Sequence, residues 1–316
     1  MLHQHGSFPI NPQFAMRFTS SLLILTWLLL SLTSFVSSKL IPIPGGYLPS
    51  ECVHGVPSGS TVERLHDGTV KVHTEGLPSK TLPKCSQSLI SSRKGHGRKL
   101  LQFPPSYDGW TAYTAFQVEG TFDSFLGDFS VPDMPAQMPE ILYLFTGLQN
   151  IDWVPLVDPE PAGKFDIIQP VLQYPADTGA GWSVKSWYVT LDVGAVYSTE
   201  LLVNVGDVIF GNMTRLNTTG WFIGSQSTQT GQSTNLVMNA NRLTNQPWAY
   251  NTLEMYGAVD CSTYPTQPVL FSKLSLTTPS GPVTPTWAVN PQNQPTKFCH
   301  ELPTVNSDGT VTITFQ

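Results

Sequence analysis

Histidine all but disappears from this chain after Leu100, where only His300 remains. A Ser-His-Asp or Cys-His nucleophile in that region would have to use it. It stands beside Cys299 near the C-terminus, where a surface histidine next to a disulfide is the simpler reading. Cysteine is scarce, with four residues. Once those are paired, no His/Cys set is left to hold zinc. No glycine-rich loop carrying a lysine is present to cradle phosphate. The formal net charge is -6, a balance that disfavours nucleic-acid partners. Helical periodicity is nearly absent, which excludes a helical bundle. An enzyme built from this sequence has to work with carboxyl and amide groups, and no metal or cofactor is expected.

What the chain does have is proline, glycine, serine and threonine, the composition of a β-rich secreted protein. Its long apolar run points the same way. Met16-Arg17 gives a basic flank to LLILTWLLLSLTSFVSS, and Val36 and Ser38 are small enough for cleavage after Ser38. Residues 1–38 therefore read as a signal peptide, and 1–15 as an extra leader if Met16 is the true start. The alternative is an uncleaved membrane anchor, for which the run is short against the about 20 residues of a span. With the signal removed, the protein is expected to be secreted or lumenal and to make no membrane contact. In such a chain the cysteines favour disulfides, Cys52 with Cys85 and Cys261 with Cys299 by proximity. Asn212-Met-Thr214 and Asn217-Thr-Thr219 are glycosylation sequons.

The charges are split along the chain. Residues 39–99 carry nine Lys/Arg against four Asp/Glu, whereas residues 100–316 carry six against eighteen. The boundary is the basic loop SRKGHGRKLLQ, and Arg98-Lys99 within it reads as a dibasic processing site. An ordinary solvated linker is the plain alternative. The functional reading is a basic pro-segment, 39–99, that inhibits an acidic domain, 100–316. Opposite fields would hold the two together near neutrality, and acid would loosen them.

From Asp108 onward, apolar runs of strand length alternate with turn signals, which argues for an all-β sandwich or jelly roll. Two of these strands contain polar residues where apolar ones are expected: DIIQPVLQY and YNTLEMYGAV. Such residues cost free energy unless paired, so each needs a reason to be there. Period-two alternation puts Gln169, Val171 and Gln173 on one face, opposite Ile168 and Leu172, with Pro170 at a bulge or unpaired position. It puts Thr252, Glu254, Tyr256 and Ala258 on one face, and Leu253, Met255 and Val259 on the core face. Gln169 and Glu254 are expected to meet across one sheet. Tyr174, Trp182, Trp187, Tyr188 and Tyr256 supply aromatic company that suits a groove for an extended ligand.

The order of segments resembles the glutamic peptidases, the eqolisin type and its neprosin-like relatives. The resemblance rests on FLGDFSVPD (125–133), LYLFTGLQ (142–149), DIIQPV (166–171), KSWYV (185–189), NVGDVI (204–209) and NTLEMY (251–256), and covers most of residues 108–280. It implies a concanavalin-like jelly-roll sandwich of two antiparallel sheets and a secreted acid endopeptidase acting on polypeptide. It places the catalytic glutamine on Gln169, with Gln173 as the alternative, and the catalytic glutamate on Glu254. It suggests Trp187 and Phe145 for the groove, beside Gln173, Trp182, Tyr188 and Tyr256. Three family carboxylates are replaced, by Lys185, Val189 and Gln149. In the implied chemistry Glu254 activates water and returns the proton to the leaving amine, while the glutamine amide faces the oxyanion. A non-catalytic sandwich that binds glycan or peptide on its aromatic face is the competing reading. A glycosidase ranks behind both, because no strand carries the required pair of carboxyl groups.

Overall fold

The computed structural model describes residues 39–85, 109–154, 165–290 and 299–315. Residues 1–38, expected to be a signal peptide, and Arg98, Lys99 and the residues around them lie outside the described residues. Residues 39–316 cluster as one unit. The chain first forms β1 (Leu40–Ile43), β2 (Gly46–Pro49), β3 (Val53–Val56), β4 (Ser60–Arg64), β5 (Val70–His73) and β6 (Lys80–Leu82). Then come β7 (Gly109–Gln117), β8 (Ser124–Ser130), β9 (Ile141–Gln149), β10 (Asp166–Tyr174), β11 (Trp182–Thr190), β12 (Gly194–Ser198) and β13 (Leu201–Val203). They are followed by β14 (Val208–Arg215), β15 (Gly220–Ser227), β16 (Ser233–Asn239) and β17 (Trp248–Tyr256). The last are β18 (Val269–Thr278), β19 (Gly281–Val283), β20 (Ala288–Val289), β21 (Leu302–Val305) and β22 (Val311–Thr314).

These strands make an all-β sandwich. The front sheet runs β20-β7-β17-β9-β10-β11-β12-β3, with β13 also paired to β11. The back sheet runs β21-β22-β18-β8-β14-β15-β16-β4-β5-β6, with β19 paired to β18. Pairing is antiparallel except at two junctions, β12 with β3 and β16 with β4. Both parallel junctions join the basic segment to the rest, so the expectation of purely antiparallel sheets needs this correction. Parallel pairing requires a long connection, and here it is supplied by strands far apart in sequence.

Alternation explains the back sheet. In β14, Ile209, Gly211 and Met213 are buried while their neighbours are partly exposed, and β16 repeats the pattern with Leu236 and Met238. The front sheet behaves differently. Every residue of β9, β10 and β11 is buried, because both faces are covered. The inner face packs Leu144, Ile168, Leu172 and Leu253 against Phe129, Ile209 and Trp221 of the back sheet. The outer face gathers Trp110, Phe145, Val171, Trp187, Tyr250 and Tyr256 with Ile43 and Leu48 of the β1–β2 hairpin.

The expected faces hold for Leu253 and Met255, which enter the inter-sheet core, and for Tyr256, which lies on the other side. They fail beyond the strand end. Gly257 adopts φ +67°, the alternation breaks, Ala258 turns into the core and Val259 is exposed. Pro170 sits inside β10 without a bulge and, as the other expected alternative had it, without a partner on the β9 side. Its register with β11 is continuous, and pairs with β9 stand on either side of it. Both disulfides, Cys52–Cys85 and Cys261–Cys299, are formed. Asn212 lies on the partly exposed face of β14, where it accepts from Thr214 Oγ1 at 2.6 Å, and Asn217 is exposed in the turn that follows.

Gly211 of the back sheet packs directly against Pro170 of the front sheet. A Cβ there would lie 2.8 Å from Pro170 Cγ and 3.1 Å from Phe129 Cε1. Overpacking of this kind costs about 1–3 kcal/mol. Gly211→Val should lower the urea midpoint accordingly, measured by tryptophan fluorescence.

Candidate active site

Glu254 lies on the outer face of the front sheet and is 0% exposed. The strand register across β17, β9 and β10 pairs it with Tyr143, and Tyr143 with Gln173. Paired residues share a face, so the three side chains stand in one row across the sheet. Gln169 belongs to a different level. The pairs Ile168–Leu148 and Val171–Phe145 bracket it opposite Gly147, which pairs with Tyr250. It shares the face of Glu254 but stands four residues further along, about 13 Å at strand rise. Of the two glutamines the sequence singled out, Gln173 is therefore level with the carboxylate. Both amide atoms of Gln169 lack a partner among the described residues.

The carboxylate is held on several sides. Gly45 N, in the turn between β1 and β2, donates to Glu254 Oε1 at 2.7 Å. The Tyr256 hydroxyl donates to the same oxygen, and the Trp110 side chain also interacts with the carboxyl. Burial pushes the Glu254 carboxyl up to about 8, against the lowering effect of these donors. The hairpin is fixed by its neighbours: Tyr143 Oη donates to Pro42 O at 3.1 Å, and Tyr47 Oη to Glu140 Oε2 at 3.0 Å. The Tyr47 and Tyr256 rings meet edge to face at 5.0 Å. A backbone amide of the chain itself thus sits on the buried carboxylate of this row.

Beyond Gln173 the row reaches Lys185 and Asp177. Lys185 Nζ donates to Asp177 Oδ1 at 2.6 Å and to Gln173 Oε1 at 3.2 Å. Gln173 Nε2 donates to Pro175 O and to Asp177 Oδ1, each at 3.0 Å. Phe145 and Trp187 lie in the same outer cluster, the latter stacked on Tyr197 at 4.6 Å. Trp182 and Tyr188 do not. They are even-numbered on β11 and enter the inter-sheet core, so they are corrected from groove residues to core residues. The same holds for Tyr174. Val189 packs in the outer cluster, and Gln149 binds the Ile151 and Trp153 carbonyls at 2.6 and 2.7 Å, which gives it a loop-holding role. Tyr143, Trp110 and Asp177 are members the sequence reading missed. A tyrosine in an apolar strand gave no signal, and Asp177 looked like an ordinary turn residue.

A second buried carboxyl lies at the far end of β10. Asp166 is 0% exposed and accepts from Gln246 Nε2 at 2.7 Å. Burial raises it to about 7, with Gln246 and Arg242 lowering it, Asp192 raising it and Arg64 lowering it. Arg242 and Asp192 form a bidentate pair at 2.6 and 2.5 Å. Arg64, from the basic segment, donates to the Val193 and Gly194 carbonyls at 2.7 and 3.3 Å and lies over the Tyr188 ring. Among the described residues, no ion pair and no cluster of three or more metal-ligating side chains adds to the row around Glu254 beyond the Lys185–Asp177 pair.

No family model matches the chain, and no curated protein matches it. Among solved structures, it is similar to scytalido-glutamic peptidase bound to a transition state analog inhibitor, at 13% identity and a TM-score of 0.49. A second structure of scytalido-glutamic peptidase, with a peptide-based transition state analog, matches at 14% and 0.46. SCP-B, a member of the eqolisin family of peptidases in complex with the tripeptide Ala-Ile-His, matches at 16% and 0.45. Each match covers 66% of this chain and 98% of the other.

Asp166 has a raised folded-state pKa, so the folded chain keeps a proton that the unfolded chain has already lost. Its contribution therefore weakens stability as pH rises from about 4 to about 7, and nothing further is lost above that window. Asp166→Asn removes the ionisation. It should flatten that slope and leave the variant more stable than wild type at pH 8, by about 2–4 kcal/mol. Urea unfolding at pH 4.5 and pH 8 measures both.

Proposed function

We propose that this chain is a secreted endopeptidase that uses Glu254 and Gln173 to activate water against a peptide bond. The observation that carries this is the Gly45 N–H resting on Glu254 Oε1, a peptide amide held against a buried carboxylate. A polypeptide already occupies the position a substrate would take. With the hairpin withdrawn, water reaches Glu254. The carboxylate takes one proton from that water as it attacks the carbonyl carbon, and returns it to the amide nitrogen as the C–N bond breaks. The Gln173 amide donates to the oxygen that becomes negative. No metal or cofactor takes part in this sequence.

The same contact supports residues 39–99 as a pro-segment that inhibits its own domain, with the β1–β2 hairpin as the inhibiting element. The disulfides suit an extracellular destination. A signal peptide at 1–38, processing at Arg98-Lys99 and glycans on Asn212 and Asn217 complete the reading. The electrostatic latch has a local counterpart in Arg64, whose charge is favoured by Asp192 and Asp166 of the acidic domain. Among the described residues no ion pair joins residues 39–85 to residues 109–315, which are held instead by strand pairing and hydrogen bonds. Glu254 titration also opposes release in acid. Its pKa is raised only while covered, so covering takes up a proton and is favoured at low pH, weakening as pH rises toward about 8.

A non-catalytic sandwich that binds glycan or peptide is the second reading: Trp187, Phe145 and Tyr256 lie in the same outer cluster as the β1–β2 hairpin and would be uncovered together with Glu254.

After acid incubation of the full chain, cleavage of an unfolded protein substrate should be lost in Glu254→Gln with the melting temperature retained. Gln173→Ala should lose about 10²–10³-fold in kcat, whereas Gln169→Leu should keep activity within severalfold. Activity in Glu254→Gln would remove the mechanism. The hairpin is tested separately. Gly45 has φ +95°, which proline cannot adopt, and proline has no N–H to give. Gly45→Pro should show peptidase activity at neutral pH without acid incubation, where the wild type is silent.

A further inference from the structure

Lys185 stands on the outer face of β11, and its side chain is 2% exposed. The β10–β11 register pairs it with Val171 and makes it a diagonal neighbour of Gln173 on the same face. Its ammonium has three hydrogens. Two go to Asp177 Oδ1 and Gln173 Oε1, and the charge lies 4.9 Å from the Tyr197 ring centroid and 5.9 Å from that of Trp187. Where the resemblance calls for a carboxylate, this chain thus places a cation against the glutamine of the row.

A glutamine amide can sit in two orientations of nearly equal shape. An ammonium, which only donates, permits one of them. Gln173 Oε1 must face Lys185, and Nε2 must face the Pro175 carbonyl and Asp177. Asp177 is the shared point of this triangle, since its Oδ1 accepts from both Lys185 Nζ and Gln173 Nε2. It is 48% exposed and receives a further tie where its own N–H donates to Glu200 Oε1 at 2.7 Å. Asp177 can therefore keep Lys185 while releasing one Nε2 hydrogen to a substrate oxygen.

We propose that Lys185 is a positioning residue for the proposed hydrolysis: it locks the Gln173 amide with Nε2 as the donor end and polarises it toward the oxyanion. Lys185 touches neither water nor scissile bond. A hydrogen bond from a cation to Oε1 strengthens the Nε2–H donors of the same amide, because linked bonds polarise one another. The full positive charge also raises the potential where negative charge develops. This rests on the assignment of Gln173 as the oxyanion donor.

The test compares Lys185→Met, Lys185→Gln and Lys185→Arg in the acid-activated full chain, with kcat and KM measured separately on one quenched fluorescent peptide. Lys185→Met, which can neither donate nor carry charge, is expected to lose about 10²-fold in kcat, the size of effect that misplacing a catalytic group produces. KM should stay within about threefold, because the lysine does not bind the ground-state peptide. Lys185→Arg should recover most of the lost kcat. Lys185→Gln should fall between, since it donates without charge. A lysine that serves only the fold would show itself in either of two ways: both uncharged variants failing to accumulate as folded protein, or folded variants with unchanged kcat. Each result overturns the proposal. A wild-type chain that cleaves no peptide would instead remove the peptidase reading itself.

Discussion

The arrangement depends on one buried carboxylate and the backbone amide that caps it. Glu254 sits in an apolar strand with none of its surface exposed, and an isolated charge there would be costly. Two donors answer that cost, from Gly45 and Tyr256, with the Trp110 side chain beside them, and burial still holds the group largely protonated at neutrality. Remove the hairpin and the surroundings of Glu254 change at once: solvent enters, its pKa falls and it becomes able to accept a proton. In the proposed reading, the contact that covers the carboxylate also keeps it in reserve.

The hairpin is the outermost part of a segment bound far more firmly elsewhere. β3 continues the front sheet and β4 continues the back sheet, so residues 53–64 tie into both layers. Gly194, at φ +99°, lies so close beneath the Cys52 carbonyl that a side chain would not fit. Arg64 reaches into the cluster around Asp166. By contrast, β1 and β2 pair only with each other and meet the domain through side chains and a few hydrogen bonds. Local opening draws on the least-bonded elements of a fold, and here that is the part standing over Glu254.

Much of this was legible in the sequence, for identifiable reasons. Turn residues between β-prone runs gave the sandwich, and period two separated Glu254 from Leu253 and Met255. The choice between Gln169 and Gln173 was not legible, since both lie on one face and only pairing through β9 sets their level. Trp182 and Tyr188 were misread because β11 is buried on both sides, so aromatic residues occur on either face and no longer mark a groove. The Pro-Ile-Pro-Gly-Gly stretch at 42–46 reads as a turn, but nothing local reveals a partner 209 residues away. The parallel junctions were hidden for the same reason.

Those junctions carry a penalty for separation. β12 and β16 are interior strands only while β3 and β4 lie beside them. Stripping the N-terminal segment away would convert both into open borders in one event, each offering a row of unsatisfied N–H and C=O groups to the next molecule. Covering those two borders is thus among the things this segment does for the fold.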